Sequence, residues 1–589
     1  MITTIKTKTT KSILSIVSVM TLLFSMGSCQ DYLDVLPEDK LVGEQMYRNV
    51  NDADAAVLGI YGKFMGLAEK YVILNEMRAD LMTTTANSSP YLKQLSNHTE
   101  TADNPYVSPK DFYEVIQNCN DALYNFDIML AEKRLKQAEY DHRYSDVGCI
   151  RSWVYLQLGI HYGSIPYITE PIVTLEDVKN PNKYPRVTFS QLIEKLVDFT
   201  EALPFKKPYP EGTNLRTTFD GYSTEYFFVN KECLLGDLNL WKGDYTKAAS
   251  YYKNVMETST GAGSSAYLFD KYRLSWSSAD ITVDYADDRV FDANALLNTE
   301  TQGWRSIFSR PYDAQWSYEW IWSLPFSSSY APKNPFIAFF SKTSGDYQAK
   351  PSQSAMDRWD SESQVTSINS ITYTTFPYDA RGSKYTYKMV GGEPVIMKYL
   401  YKYEAAADPF KTEGDWFLYR AGKLHLRYAE AANRDNQHKL ANAIYNTGGI
   451  SRAYTPPNLP SGSDVTNIMQ THLPYPYNFD ARNGEFPYYR ADWYRSILGV
   501  RGRANLAYKP VVGDSLVSIE NNIIDEAALE LAYEGNRWED LVRIARRRND
   551  ASFLADKIYD KLSKEGNAEA ENVKAKLMNP DNWYLPFNW

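Results

Sequence analysis

The chain has 589 residues, a net charge of −10 and 14% aromatic residues, including 47 Tyr and 13 Trp. Its length exceeds what one small core needs and points to two or more domains or one large interlocked unit. Its acidity argues against nucleic acid and other polyanions as partners.

Lys6, Lys8 and Lys11 open the chain without an acidic residue, and SILSIVSVMTLLF and the exit SMGSC follow. A basic start, a short apolar run and small residues at the exit describe a secretory signal. The run is shorter than the roughly 20 apolar residues that a spanning helix needs. MGSC is similar to the lipobox of bacterial lipoproteins, with Met26 where Leu is usual. That likeness implies removal of residues 1–28 and lipidation of Cys29, which would anchor the chain by acyl chains without spanning the membrane. The alternative is a plain secreted protein in which Cys29 stands there by chance. No later segment is apolar enough to span.

Apolar residues recur at helical spacing over Val50 to Leu67, Asp111 to Leu135, Asp141 to Tyr162, Thr188 to Ala202 and Lys231 to Met256. Cys119, Cys149 and Cys233 fall within these patterns, form no CxxC pair and read as buried thiols. CLLGDLNLWKGDYTKAASYYKNVM has tetratricopeptide-like spacing. Gly236 admits a close helix crossing, Gly243 makes a turn, and Ala248 and Tyr252 dock the second helix. Weaker echoes lie at Leu418 to Asn446 and Ile523 to Arg547, which predicts one helical scaffold interrupted by a large insertion.

The insertion, 261–414, is rich in Ser, Gly, Pro, Asp and aromatics and predicts loops with short strands and helices. YEWIWSLPF alternates like a strand whose Trp320 and Trp322 share a core face. Twelve aromatics fall between Trp304 and Phe340. In a loop-rich segment such side chains reach the surface, where a flat ring with a polar edge suits a sugar's C–H face. Trp304, Tyr312, Trp316 and Tyr330 are the ligand candidates, with burial in a core as the other reading. His472 to Tyr494 is a second irregular stretch.

The sequence lacks HExxH, GxSxG, GxxxxGK[ST] and GxGxxG. Its six histidines show no metal-ligand spacing, and His161 and His425 read as structural. Asp284, Asp287, Asp288 and Asp292 offer hard oxygen ligands that could hold calcium, but the loop lacks the EF-hand order and its glycine and reads first as a solvated acidic loop. No metal or cofactor is expected.

Taken in order, CQDYLDVLPED, LNEMRADLM, FYEVIQNCNDAL, IRSWVYLQLGIHYGSIPYITEP, LYRAGKLHLRYAEAANR, RGRANLAY, ELAYEGNRWEDLVRIAR and NWYLPFNW resemble the motifs of SusD-like (RagB/SusD) outer-membrane lipoproteins of Bacteroidetes. The resemblance implies a mainly α fold: a tetratricopeptide-like scaffold with a loop-rich insertion carrying short strands. The expected regions are a signal peptide (1–28), an N-terminal helical region (29–260), the ligand-binding insertion (261–414) and a C-terminal helical region (415–589). It further implies a non-catalytic protein, lipid-anchored on the cell surface, that passes oligosaccharides to a SusC-like TonB-dependent transporter. Some relatives take peptides, and a surface glycoside hydrolase is the remaining alternative. In relatives the loop after Met82 borders the ligand, so Arg78, Tyr91, Asn97 and Tyr106 join the candidate list.

Overall fold

The structure is a computed structural model. It describes residues 46–172, 183–204, 209–210, 212–219, 222–256, 275–277, 280–282, 306–309, 320–368, 371–377, 379, 381–401, 413–447, 470, 472–479, 499–504 and 506–587. Outside them lie Cys29 and the leader, the acidic loop with Asp284, the candidates Trp304, Tyr312 and Trp316, and most of the second irregular stretch.

Helices dominate. The N-terminal region carries Val50–Met65 (α1), Ala68–Glu76 (α2), Pro90–Ser96 (α3), Lys110–Ala131 (α4), Gln137–Tyr162 (α5), Phe189–Ala202 (α6), Lys231–Lys242 (α7) and Tyr245–Met256 (α8). Pro335–Phe340 (α9) and Gln353–Asp360 (α10) lie in the insertion. Ala421–Arg434 (α11), His438–Tyr445 (α12), Ser515–Glu530 (α13), Arg537–Arg548 (α14), Ser552–Lys564 (α15) and Ala570–Leu577 (α16) follow. Local chemistry sets several starts and stops. The Thr188 hydroxyl accepts from the Gln191 N–H while the Gln191 side chain accepts from the Thr188 N–H, a capping box that begins α6. In LNEMRADLM only Leu74 to Glu76 are helical; the rest forms a turn and a short strand.

Helix pairs α4/α5, α7/α8, α11/α12 and α15/α16 build the scaffold, and α8 packs on α11 across the insertion. The tetratricopeptide-like spacing has the expected physical basis. A Cβ on Gly236 would stand 2.3 Å from the Tyr252 ring, and the Tyr252 hydroxyl donates to Asp237 at 2.6 Å. Gly243 ends α7 with φ +89°, a left-handed conformation open to glycine. Cys119, Cys149 and Cys233 are buried free thiols, and burial pushes Cys119 up to about 12.

Strands occur in antiparallel pairs. The principal ones are Met82–Thr84 (β1), Trp320–Phe326 (β2), Ala349–Pro351 (β3), Ser363–Ile368 (β4), Ile371–Pro377 (β5), Tyr387–Val390 (β6), Glu393–Ile396 (β7) and Gly414–Arg420 (β8). β2 pairs with β8 and closes the base of the insertion, β1 pairs with β3 and ties its middle to the N-terminal region, and β4/β5 and β6/β7 form hairpins. Trp320 and Trp322 are buried as expected, yet so are Ile321 and Ser323 between them. β2 is therefore covered on both faces. Phe64 of α1 stacks on Trp322 at 5.6 Å and meets Trp153 of α5 and Trp416 of β8 at 5.0 and 4.8 Å, which welds the ribbon to the scaffold.

Gly236→Ala should destabilise the protein by about 1–2 kcal/mol in urea unfolding. The added methyl overpacks a fixed aromatic ring, and the gain in helix propensity offsets only part of that cost.

Candidate ligand site

One cavity brings three distant parts of the chain together: α1, the segment 214–228, and the end of β2 with the loop after it. Its volume is about 260 Å³. Tyr61, Leu215, Phe228 and Leu324 form buried walls, while Leu58 and Tyr330 stand at its mouth, 53% and 55% exposed. Tyr61 and Phe228 meet edge to face at 5.2 Å. The polar atoms along the lining are largely engaged within the protein. The Tyr61 hydroxyl donates to Asp146 at 2.8 Å and accepts from the Val229 N–H. The Thr224 hydroxyl donates to the Leu215 carbonyl, the Asn214 amide nitrogen donates to Asn51, and the Ser327 hydroxyl oxygen accepts from the Ser329 N–H.

Tyr330 is the sequence candidate that lines this cavity. Tyr91 and Tyr106 come together elsewhere, around Asn104. The Asn104 amide donates to the Tyr91 carbonyl at 2.9 Å, and its oxygen accepts from the Tyr106 N–H at 3.0 Å. Tyr91 is 38% exposed, while the Tyr106 hydroxyl is bound to Glu69. Asn97 ends α3 and accepts from Asn567. Arg78 belongs to the interior. Its guanidinium donates to the Trp583 carbonyl at 2.6 Å and lies 4.1 Å over the Trp538 ring, with no exposed surface. Leu58, Gly62, Phe227 and Phe228 line the cavity but were not candidates in the sequence. The available signals were a large apolar residue on the polar side of α1 and a Phe pair outside any regular helix.

The N-terminal loop is held from below. Asp80 is fully buried, and its carboxylate accepts two bonds from Arg537, at 2.6 and 2.9 Å, and one from Arg358 at 2.9 Å. Burial alone would raise this carboxyl, but the charges of Arg537 and Arg358 overcome it and hold it well below the usual range. Glu76 accepts from the Gly535 and Asn536 N–H groups at 2.8 and 3.0 Å. Burial outweighs those bonds and pushes Glu76 up to about 8. The Lys561 ammonium donates to the carbonyls of Met77, Ala79 and Met82. Among the described residues no group of His, Cys, Asp and Glu side chains is placed to hold a metal. No described helix is long and apolar enough to cross a membrane.

A helical-repeat scaffold with one surface cavity beside an inserted ribbon is a recognisable architecture, and known proteins share it. The SusD family model matches residues 482–587. Over 92% of this chain and 96% of the other, the fold is similar to a SusD superfamily protein from Bacteroides thetaiotaomicron, with a TM-score of 0.55 at 16% identity. A SusD-like carbohydrate binding protein from Bacteroides fragilis aligns with a TM-score of 0.54 at 15% identity, covering 86% and 88% of the two chains. A SusD-like protein of Formosa agariphila is 25% identical over 163 residues. That match covers 26% of this chain and 31% of the relative's length. The fold is thus similar to that of SusD superfamily proteins, and the family match itself lies in the C-terminal segment.

Arg537→Ala should cost about 3–5 kcal/mol in denaturant unfolding, because it leaves the Asp80 carboxylate buried with one partner fewer. Glu76→Gln tests the raised carboxyl. A group whose native pKa lies above its unfolded value stabilises the fold below the unfolded value, about 4.3, and that stability is lost as pH rises through about 8. Glutamine keeps the acceptor for Gly535 and Asn536 and does not ionise. The stability of Glu76→Gln relative to wild type should therefore rise by up to about 1.4 kcal/mol per pH unit from about pH 5 upward, levelling off beyond the native value near 8, as read from urea midpoints across pH.

Proposed function

We propose that this protein is a non-catalytic, cell-surface glycan-binding lipoprotein that captures oligosaccharides and delivers them to a SusC-like TonB-dependent transporter. The observation that carries the reading is Tyr330, a half-exposed ring at the mouth of a surface cavity in a SusD-like fold. A sugar ring lays its C–H face on such an aromatic while its hydroxyls remain at the wet rim. The solved relative described as carbohydrate binding shares the fold and supports the ligand class. Cys29 supplies the anchor, and Trp304, Tyr312 and Trp316 are further stacking candidates on the insertion. Tyr91, on the N-terminal loop, is a second-line contact. A few stacked rings and hydroxyl bonds, set against the cost of ordering the ligand, give micromolar or weaker affinity.

Calorimetry on soluble protein starting at Gln30 tests this against mucin-type glycans, plant and yeast polysaccharides, and peptides, followed by an assay for new reducing ends. Binding to one glycan class without new ends is expected. New reducing ends would make the protein a hydrolase, and binding to peptides alone would replace the ligand class. Tyr330→Ala should weaken glycan binding about tenfold and leave the melting temperature unchanged, since the ring is half exposed.

A further inference from the structure

We infer that the cavity behind Tyr330 receives an aromatic substituent of the captured glycan, so that the ligand is an aryl-substituted oligosaccharide; this rests on the glycan-capture reading above. The walls are the reason. Leu215, Phe228 and Leu324 are apolar and buried. The buried Tyr61 turns its hydroxyl inward to Asp146, and the Thr224 hydroxyl is taken up by the Leu215 and Thr217 carbonyls. A sugar pushed between these walls would leave hydroxyls unpaired, each forfeiting the bond that it makes in water. An aryl group carries no such cost and gains the edge-to-face contacts that Tyr61 and Phe228 already make with each other. Size agrees: an apolar cavity of about 150 Å³ is enough to bind benzene, and this one is about 260 Å³. The mouth matches the two halves of such a ligand. The Tyr330 ring and Leu58 are exposed at the entrance, where the sugar to which the aryl group is attached would lie.

Gly62 provides a clean block. It lies in α1 and lines the cavity, and a Cβ built on it meets nothing within 4 Å. Gly62→Leu therefore starts its side chain in open space at the mouth and improves helix propensity, so the variant should unfold at or above the wild-type temperature. The probe is fluorobenzene, followed by 19F NMR with the soluble chain. Saturable binding to wild type, weakened more than tenfold in Gly62→Leu, is expected. In the glycan panel, aryl esters or aryl glycosides should bind more tightly than their unsubstituted parents, a preference that Gly62→Leu abolishes. Fluorobenzene that fails to bind, as it would in a cavity already filled by the chain's own side chains, overturns the inference. So does binding that is insensitive to Gly62→Leu. In either case glycan binding by calorimetry still upholds the capture role. Glycan binding with no aryl preference likewise overturns only this inference. Fluorobenzene binding without any glycan binding overturns both, since the substituent then has no sugar to belong to.

Discussion

A carboxylate without exposed surface holds the molecule together. Asp80 comes from the N-terminal region, Arg358 from the insertion and Arg537 from the C-terminal region, and the three meet in one set of hydrogen bonds. Two charges buried as a well-satisfied pair add little net stability, but either one buried alone is expensive. The network therefore acts as a constraint on arrangement: the regions must come together in this geometry or not at all. Around it the N-terminal and C-terminal stretches interlock further. Glu76 accepts from the backbone at Gly535 and Asn536, Lys561 gathers the carbonyls of the turn that follows α2, and Arg78 bonds the Trp583 carbonyl. β1 emerges from that turn already aimed at β3, and the N-terminal loop is set against the insertion, where Asn87 donates to the Asp346 carbonyl.

The cavity beside Tyr330 depends on a second, apolar junction. Phe64, Trp153, Trp322 and Trp416 lock α1 and α5 to the β2/β8 ribbon, and β2 carries Leu324 and the loop bearing Tyr330 from there to the surface. Beneath the cavity floor, Asp146 accepts from both Tyr61 and Tyr209. That draws the phenol of Tyr61 away from the open space and leaves its ring face as wall. One buried carboxyl thus makes a surface cavity drier than its composition of tyrosine, threonine and asparagine suggests.

The helical scaffold was legible in the sequence because its signals are local. The spacing of apolar residues in α1, α4, α5 and α6 repeats within one or two turns of chain, and the Gly236–Tyr252 docking stays within one helix pair. LNEMRADLM was legible as a motif but not as a structure, since a turn held by Lys561, far along the chain, ends the helix after Glu76. Arg78 shows the same limit. An arginine before a polar loop suggests a ligand contact, and only the distant Trp538 and Trp583 reveal that it belongs to the core. Tyr330 was singled out by its loop and its neighbours in composition. The cavity behind it was not, because Leu58, Phe228 and Leu324 become neighbours only in three dimensions. Three further aromatic candidates, Trp304, Tyr312 and Trp316, lie outside the described residues.

The separation between Asp80 and Arg537, 457 positions, has a consequence for biogenesis. Chains are made from the N-terminus, and contacts so remote in sequence form only after the intervening length has been made. A nascent chain that has passed the insertion has Asp80 and Arg358 but not Arg537, which supplies two of the three bonds, and lacks the backbone amides that Glu76 requires. Such an intermediate stays open and exposed to proteases until the segment bearing Gly535, Asn536 and Arg537 arrives. A stop just before Gly535 would thus remove the clasp of the whole fold, not one peripheral helix.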